Sequence, residues 1–466
     1  MSGSIRSLTF FLFPTCCSIV TKNSGCGDRI KVEMKVYIRT MMNWGDRKMK
    51  TNRWITLLSV ALLFALLMTS TSCAKKVSGE DLMKGIDSQE VQVPEGYSEE
   101  DLQAALSFSL HLFQKSLEEK NTLMSPVSIL SAMGMTGNGA LENTRTQMEE
   151  VFGMKMEDLN NLLYLYRKSL PDKEKLKIHV ANSIWFKEGG AIDVEEEFLQ
   201  TNANYYDASI YRAPFDEATL KDINLWVKEK TKEMIPEILD EIPEDAVMYL
   251  INALAFEGEW QDIYSEDQIQ DGVFKNGSGE EETVEMMRNE ESLYLENENT
   301  VGFMKPYAEG EYVFVALLPK DENQTIGEYV NSLTGEDLYE LLSTVESTSV
   351  LTMMPKFKTE YKVELSEVFK SMGIKDAFDA DLANLRALGT SPIGNLYISR
   401  VLHKTFIDVN ERGTKAGAVT AVEVVAESAG PMEPKIVHLD RPFAYMIVDR
   451  QSNLPLFVGT TESVNP

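Results

Sequence analysis

The sequence predicts one mixed domain of α-helices and β-strands over residues 98–466. Three observations carry this reading. The chain has 466 residues, 43% of them hydrophobic, which is ample for a large core. Apolar periodicity switches repeatedly between the helical and the strand repeat. Neither an internal repeat nor a Gly/Ser-rich linker interrupts the run from 98 to 466.

The elements follow in chain order. "MKTNRWITLLSVALLFALLMTSTSC" begins at Met49 with Lys50 and Arg53, continues through the apolar stretch Trp54 to Met68, and ends in small residues before Cys73. That stretch is shorter than the ~18 apolar residues a membrane span needs. The pattern resembles a bacterial lipoprotein signal, in which Cys73 would become the lipidated first residue; it departs at Ser70, where an aliphatic residue is usual. Residues 1–48 are expected to be a misassigned upstream start, 49–72 the signal peptide, and 73–97 the lipidated cysteine with a flexible tether. The tether expectation rests on the polar runs "KKVSGED" and "VPEGYSEED". Such a tether would hold the domain some 25–30 Å from a membrane, scaling as about 5–6 Å × √n.

Ser98 then caps a helix with acids in its first turn and a stripe of Leu102, Leu106, Leu110, Phe113 and Leu117. A helix is expected near 126–152, a strand near 178–187, a helix near 221–239 and a strand near 246–256. Strand 312–319, helix 325–343 and the strand-like 347–357 follow, and "FAYMIVDR" and "LPLFVGTTE" close the chain as strands.

Charge and cysteine content exclude several functions. The net charge is −28, yet residues 1–72 hold ten basic and three acidic side chains, leaving −35 for the rest. So acidic a surface repels phosphate backbones and anionic headgroups, so nucleic acid is not expected as a partner. The cysteines are Cys16, Cys17, Cys26 and Cys73, so the domain has no disulfide, thiol nucleophile or thiolate metal site. His111, His179, His403 and His438 are scattered, and no HExxH, P-loop or GxGxxG motif occurs. No catalytic residues, metal or cofactor are expected.

Seven segments, in order, resemble the serpin family: "NTLMSPVSILSAMGMTGNGALENTRTQM", "VANSIWF", "FLQTNANYYDASIYRAPFDE…INLWVKEKTKEMI", "YLINALAFEGEWQDIY", "MMPKFKTEYKVELSEVFKSMGIKDAFDADLANL", "VLHKTFIDVNERGTKAGAV" and "DRPFAYMIVDRQSNLPLFVGTT". The resemblance spans Ser98 to Pro466. It implies an α+β serpin fold, with a helical cluster packed on a large central β-sheet, further smaller sheets and an exposed C-terminal reactive-centre loop. It also implies a suicide inhibitor, not an enzyme. A target protease cuts the loop, and the loop's N-terminal part then enters the main sheet as a new strand, a known property of the family.

The segment "NERGTKAGAVTAVEVV" is chemically suited to that role. Each inserted backbone N–H needs a ladder partner, so proline is forbidden; Thr414 to Gly430 contains none. Side chains entering a packed interior must be small, since overpacking costs about 1–3 kcal/mol; Thr414, Ala416, Ala418 and Thr420 share one face. Gly413 suits a hinge, and Val419, Val422, Val424 and Val425 favour strand. Gly417 costs about 0.5–1 kcal/mol relative to alanine. Lys415 stands where the family favours Glu, but on the opposite face.

Counting from the hinge residues Glu411 and Gly413 places the reactive bond between Glu427 and Ser428. Counting back from Arg441, Pro442 and Phe443 disagrees, because the loop is longer, and the extra residues are assigned to "AGPMEPK". Glu427 suits a glutamyl-specific serine protease, whereas Val424, Val425, Ala426 and Ala429 suit an elastase-like pocket, so Val425 and Ala426 are the alternative reactive residues. The resemblance further assigns Ser125, Ser128, Asn252 and His403 to a "shutter" cluster that controls sheet opening, and Trp260 to the "breach" where insertion begins.

The expected partner is a serine protease, with a cysteine protease as a second class, held in a covalent 1:1 complex by a monomer. The expected location is a bacterial cell envelope, as an outer-membrane lipoprotein anchored through Cys73 and facing the periplasm or the exterior. A non-inhibitory serpin acting as a surface carrier is the alternative reading.

Overall fold

The computed structural model of the chain describes residues 77–189, 192–244, 246–392, 394–414 and 433–465. The leader, Cys73, Lys415, Ala416, Gly417, Ala418, Val425, Ala426, Glu427 and Ser428 lie outside the described residues.

The first helix, Glu99–Ser116, starts as its sequence predicts: the Ser98 hydroxyl accepts from the Asp101 amide, and Glu99, Glu100 and Asp101 fill the positive first turn. Its buried face is wider than a single stripe. Ala105, Phe108, Ser109 and Leu112 are buried beside Leu106, Leu110 and Phe113, because other helices pack on it from more than one side. The helix expected near 126–152 is two, Pro126–Gly137 and Glu142–Phe152. The turn between them is pinned by the Leu141 amide donating to the Asn384 carbonyl at 2.9 Å. The helical periodicity of 325–343 likewise divides into Ile326–Ser332 and Gly335–Ser343, each opened by a threonine capping box.

Among the described residues the main sheet has seven strands, which we number along the chain: β1 Glu80–Asp81, β2 Leu176–Lys187, β3 Ser209–Ala213, β4 Met248–Glu259, β5 Phe357–Glu364, β6 Arg400–Asn410 and β7 Gly413–Thr414. Their order in space is β1-β3-β2-β4-β7-β6-β5, with β4 also pairing directly to β6. The near-continuous apolar run of β4 is explained by cover on both faces. Leu250 and Leu254 join the larger core, which also contains the helix Pro126–Gly137. Tyr249, Ile251 and Ala253 enter a second core with Ile223, Trp226 and Val227 of the helix Glu217–Lys230. A second sheet, of nine strands among the described residues, carries 300–306, 312–319 and the C-terminal strands 443–449 and 455–461.

Residues 77–97 do not form the expected tether; they lie on the domain. β1 pairs antiparallel with β3, through Glu80 with Arg212 and Asp81 with Tyr211. Val77 packs against the second core. The Ser78 amide donates to Asp222 Oδ2 at 2.8 Å, and its hydroxyl bonds the same oxygen. Further on, the Gln89 amide donates to Asn204 Oδ1 at 2.8 Å. The polar composition that suggested a tether comes from side chains facing outward, while the backbone completes a sheet edge that would otherwise stay unpaired.

Candidate strand-insertion site

The neighbouring strands β4 and β6 run parallel and make a forked seam. They pair directly from Tyr249 and Arg400 as far as Leu254 and Thr405. Beyond that point β7 stands between them. Gly413 faces Glu259 on one side and Asn410 on the other, and Thr414 faces Gly258 and Val409. β7 is antiparallel to both neighbours, so each of its edges meets a complementary row of backbone groups. A strand continuing beyond Thr414 would run down the seam towards Tyr249 and separate the pairs that now close it.

The hinge owes its position to a tight reversal after β6. The Arg412 amide donates to Asn410 Oδ1 at 3.0 Å, and Gly413 has φ +149°. A Cβ at Gly413 would stand 2.0 Å from the Gly258 carbonyl oxygen, so only glycine fits.

Trp260 clamps this reversal. Its Nε1 donates to the Asn410 carbonyl at 2.9 Å and its amide donates to the Arg412 carbonyl at 2.8 Å. The Tyr264 amide donates to the Glu411 carbonyl at 3.0 Å. The indole stacks on Tyr307, with centroids 4.5 Å apart, and the Tyr307 hydroxyl reaches Thr414 Oγ1 at 2.6 Å. Thr414 is only 1% exposed: its small side chain already occupies the interior. Lys356 spans Glu411 and Glu285 at 2.9 and 3.2 Å. Its ammonium, hydrogen-bonded to Glu411, holds that carboxyl below the usual range.

Beneath the clamp lies a buried ion pair. Lys305 Nζ is 2.6 Å from Glu291, and 5.6 and 4.4 Å from the ring centroids of Trp260 and Tyr264. Asn289 donates to the same carboxylate at 3.0 Å. The cation is thus neutralised, hydrogen-bonded and covered by aromatic faces.

A polar row crosses the closed part of the seam. Asn182 of β2, Asn252 of β4 and His403 of β6 are register partners on three adjacent strands. Asn252 Nδ2 donates to Asn182 Oδ1, and also to the Ser128 carbonyl at 2.9 Å. The Ser125 amide donates to His403 Nε2 at 3.1 Å, which makes that nitrogen an acceptor. Nδ1 therefore carries the proton and donates to Asn252 Oδ1. Burial pushes the imidazole pKa down to about 3, consistent with a neutral ring.

The four residues expected to form the shutter are therefore together, while Trp260 grips the hinge through Asn410 and Arg412, with Glu411 held by Tyr264 and Lys356 and Thr414 by Tyr307. Asn252 and Gly258 are six residues apart on β4, so about 20 Å separates the two groups. Ser125 serves through its amide; its hydroxyl has no partner among the described residues. Sequence reasoning missed Asn182, Tyr264, Glu291, Lys305, Tyr307 and Lys356. Asn182 and Lys305 are polar residues inside strands, which become meaningful once strand register is known, whereas Tyr264, Tyr307 and Lys356 lie just outside strands and Glu291 lies in a largely polar one, so nothing local marked them.

Comparison with known proteins agrees with this geometry. The family model described as Serpin (serine protease inhibitor) matches residues 103–465. An uncharacterized serpin-like protein of Methanosarcina mazei is 32% identical over 361 residues, covering 74% of this chain and 81% of its own length. Serpin B9 of Homo sapiens is 30% identical, covering 74% of this chain and 93% of its own length. The thermophilic serpin tengpin in its native state is 46% identical with a TM-score of 0.79, covering 83% of this chain and 99% of the other. Tengpin in its latent state superposes less closely, with a TM-score of 0.70 over 81% of this chain and 100% of the other.

Proposed function

This chain belongs to the serpin family, and from that membership we propose that it is a suicide inhibitor of elastase-like or glutamyl-specific serine proteases. The protease cuts at Glu427–Ser428 and is held as an acyl-enzyme when the cleaved loop inserts between β4 and β6.

The observation that carries the reading is the seating of β7. Two residues already stand between parallel neighbours, antiparallel to both, with Thr414 buried. The residues after Thr414 are free of proline as far as Gly430 and small on the inserting face. About a dozen new backbone pairs, at ~0.5–1.5 kcal/mol each, would release on the order of 10 kcal/mol. That rivals the whole stability of an ordinary domain and can displace a bound protease. The closer likeness to native than to latent tengpin, at the same identity, supports a sheet that has yet to take up its loop.

We place the inhibitor at a bacterial envelope, as a monomer anchored through lipidated Cys73. The leader from Met49 to Cys73 is the support for that placement.

The test mixes the domain from Ala74 onward with pancreatic elastase, a glutamyl endopeptidase and trypsin in turn. Products are read on a non-reducing denaturing gel and by mass spectrometry. The proposal expects a denaturation-resistant 1:1 adduct with elastase or the glutamyl enzyme, and a released C-terminal peptide beginning at Ser428. Loop cleavage by these enzymes with no adduct and no gain in thermal stability would instead indicate a non-inhibitory serpin.

A further inference from the structure

The docked N-terminal segment fixes where a lipid anchor would pull on the domain. The relevant heights can be read from strand register. Glu80 is level with Arg212, Arg212 with Phe186, and Phe186 with Met248 at the start of β4. The hinge residue Thr414 is level with Gly258, ten residues further along β4. At about 3.3 Å per residue the two levels are ~33 Å apart along the strand direction. The chain therefore enters the domain at the pole of the main sheet opposite the hinge.

The entry is firmly held. Val77 packs into the core formed by Trp185, Ala213 and Trp226, and Asp222 accepts both the amide and the hydroxyl of Ser78. Glu80 pairs with Arg212 at 2.8 Å, and the Leu82 amide donates to the Ile210 carbonyl at 2.9 Å. Only four residue steps separate Cys73 from Val77, a reach of at most ~14 Å. The chain between Cys73 and Val77 is thus far shorter than the segment 73–97 expected as a tether.

We propose that the lipid anchor turns the pole of the main sheet where β1 joins β3, together with the start of the helix Glu217–Lys230, towards the headgroup layer of a phospholipid bilayer, by tethering alone and against the repulsion between anionic headgroups and the exposed Glu80, Asp81 and Glu217. This rests on the reading of Cys73 as a lipid anchor. The short leash holds that pole close to the headgroups and turns the hinge pole away from them, which leaves the reactive loop presented to proteases in solution.

The test uses the chain from Met49, produced in a bacterial host that processes lipoproteins and reconstituted into vesicles of phosphatidylethanolamine and phosphatidylglycerol. Its only cysteine, Cys73, would be consumed by the lipid, so one introduced thiol can be labelled cleanly. Glu217→Cys lies near the proposed membrane pole, with its side chain 93% exposed. Glu309→Cys lies at the hinge pole, beside Ala308, whose amide donates to the Glu259 carbonyl. Energy transfer to an acceptor in the headgroup layer should be several-fold stronger from position 217 than from 309. A flexible insert of about twenty residues between Lys76 and Val77 should abolish the difference. Equal transfer from both positions in the parent chain would overturn the proposal. Mass spectrometry of the N-terminal peptide separates the two possible failures: an unlipidated Cys73 removes the anchor itself, whereas a lipidated Cys73 with equal transfer removes only the orientation.

Discussion

The hydroxyls of Tyr307 and Thr414 are 2.6 Å apart, and both residues are buried. Tyr307 belongs to the aromatic stack that clamps the reversal after β6, and Thr414 is the last residue of β7. The bond therefore joins the fixed sheet to the end of β7, the point from which insertion would propagate. Tyr307→Phe should cost about 1 kcal/mol, the net worth of one hydrogen bond. Hydrogen exchange at the Gly413 and Thr414 amides should accelerate while exchange along β4 between Tyr249 and Leu254 stays slow.

Gly413 is constrained more tightly, since a Cβ there would meet the Gly258 carbonyl oxygen at 2.0 Å. Gly413→Ala should expel β7 from the seam and lower stability by about 1–3 kcal/mol, the usual cost of overpacking. The check is a denaturant melt, together with loss of exchange protection at Thr414.

Thr414→Arg places a long charged chain where the present one is 1% exposed. Insertion should stall at its first step, so the variant should be cut at the normal rate yet form little adduct. Stoichiometry of inhibition, measured with whichever protease gives an adduct, decides it. A variant that still trapped its protease one-to-one would show that insertion does not pass through this position.

His403 gives the seam a pH dependence whose sign is fixed. Its folded pKa is about 3, below the ~6.5 of an unfolded imidazole. The unfolded state therefore binds more protons between these values. The stabilisation is complete above pH ~6.5 and is lost as pH falls towards ~3, by up to about 1.4 kcal/mol per pH unit. Denaturant melts at several pH values should show a slope in this window that is shallower by about that amount in His403→Gln.

The Lys305–Glu291 pair should prove costly to break from one side. Lys305→Met would leave a buried carboxylate beneath Trp260, at a cost of about 3–5 kcal/mol. Adding Glu291→Leu removes the stranded charge and should recover much of the loss. A double-mutant cycle on unfolding free energies measures both effects.

Much of this site is legible in the sequence. Gly413, Thr414 and Trp260 sit in motifs whose order along the chain identified the family, and the lack of proline after Thr414 follows directly from the sequence. The grouping of Ser125, Ser128, Asn252 and His403 was legible only through the resemblance, because nothing local distinguishes Asn252 from any other polar residue in an apolar strand. Asn182 was missed for the same reason: its role exists only through its register with Asn252 and His403. The segment 77–97 misled because backbone pairing at a sheet edge leaves no periodic apolar signature. Lys305 was invisible because its neutralising partner lies on a different strand, and which strands adjoin is a property of topology rather than of local sequence.

The most direct test of the central claim is the thermal stability of the domain before and after its loop is nicked by a protease that cuts near Glu427. Insertion releasing on the order of 10 kcal/mol should raise the melting temperature of the nicked protein by more than about 10 °C. An unchanged or lower melting temperature would mean that the seam between β4 and β6 does not accept the loop, and the account of this protein as a conformational trap would fail.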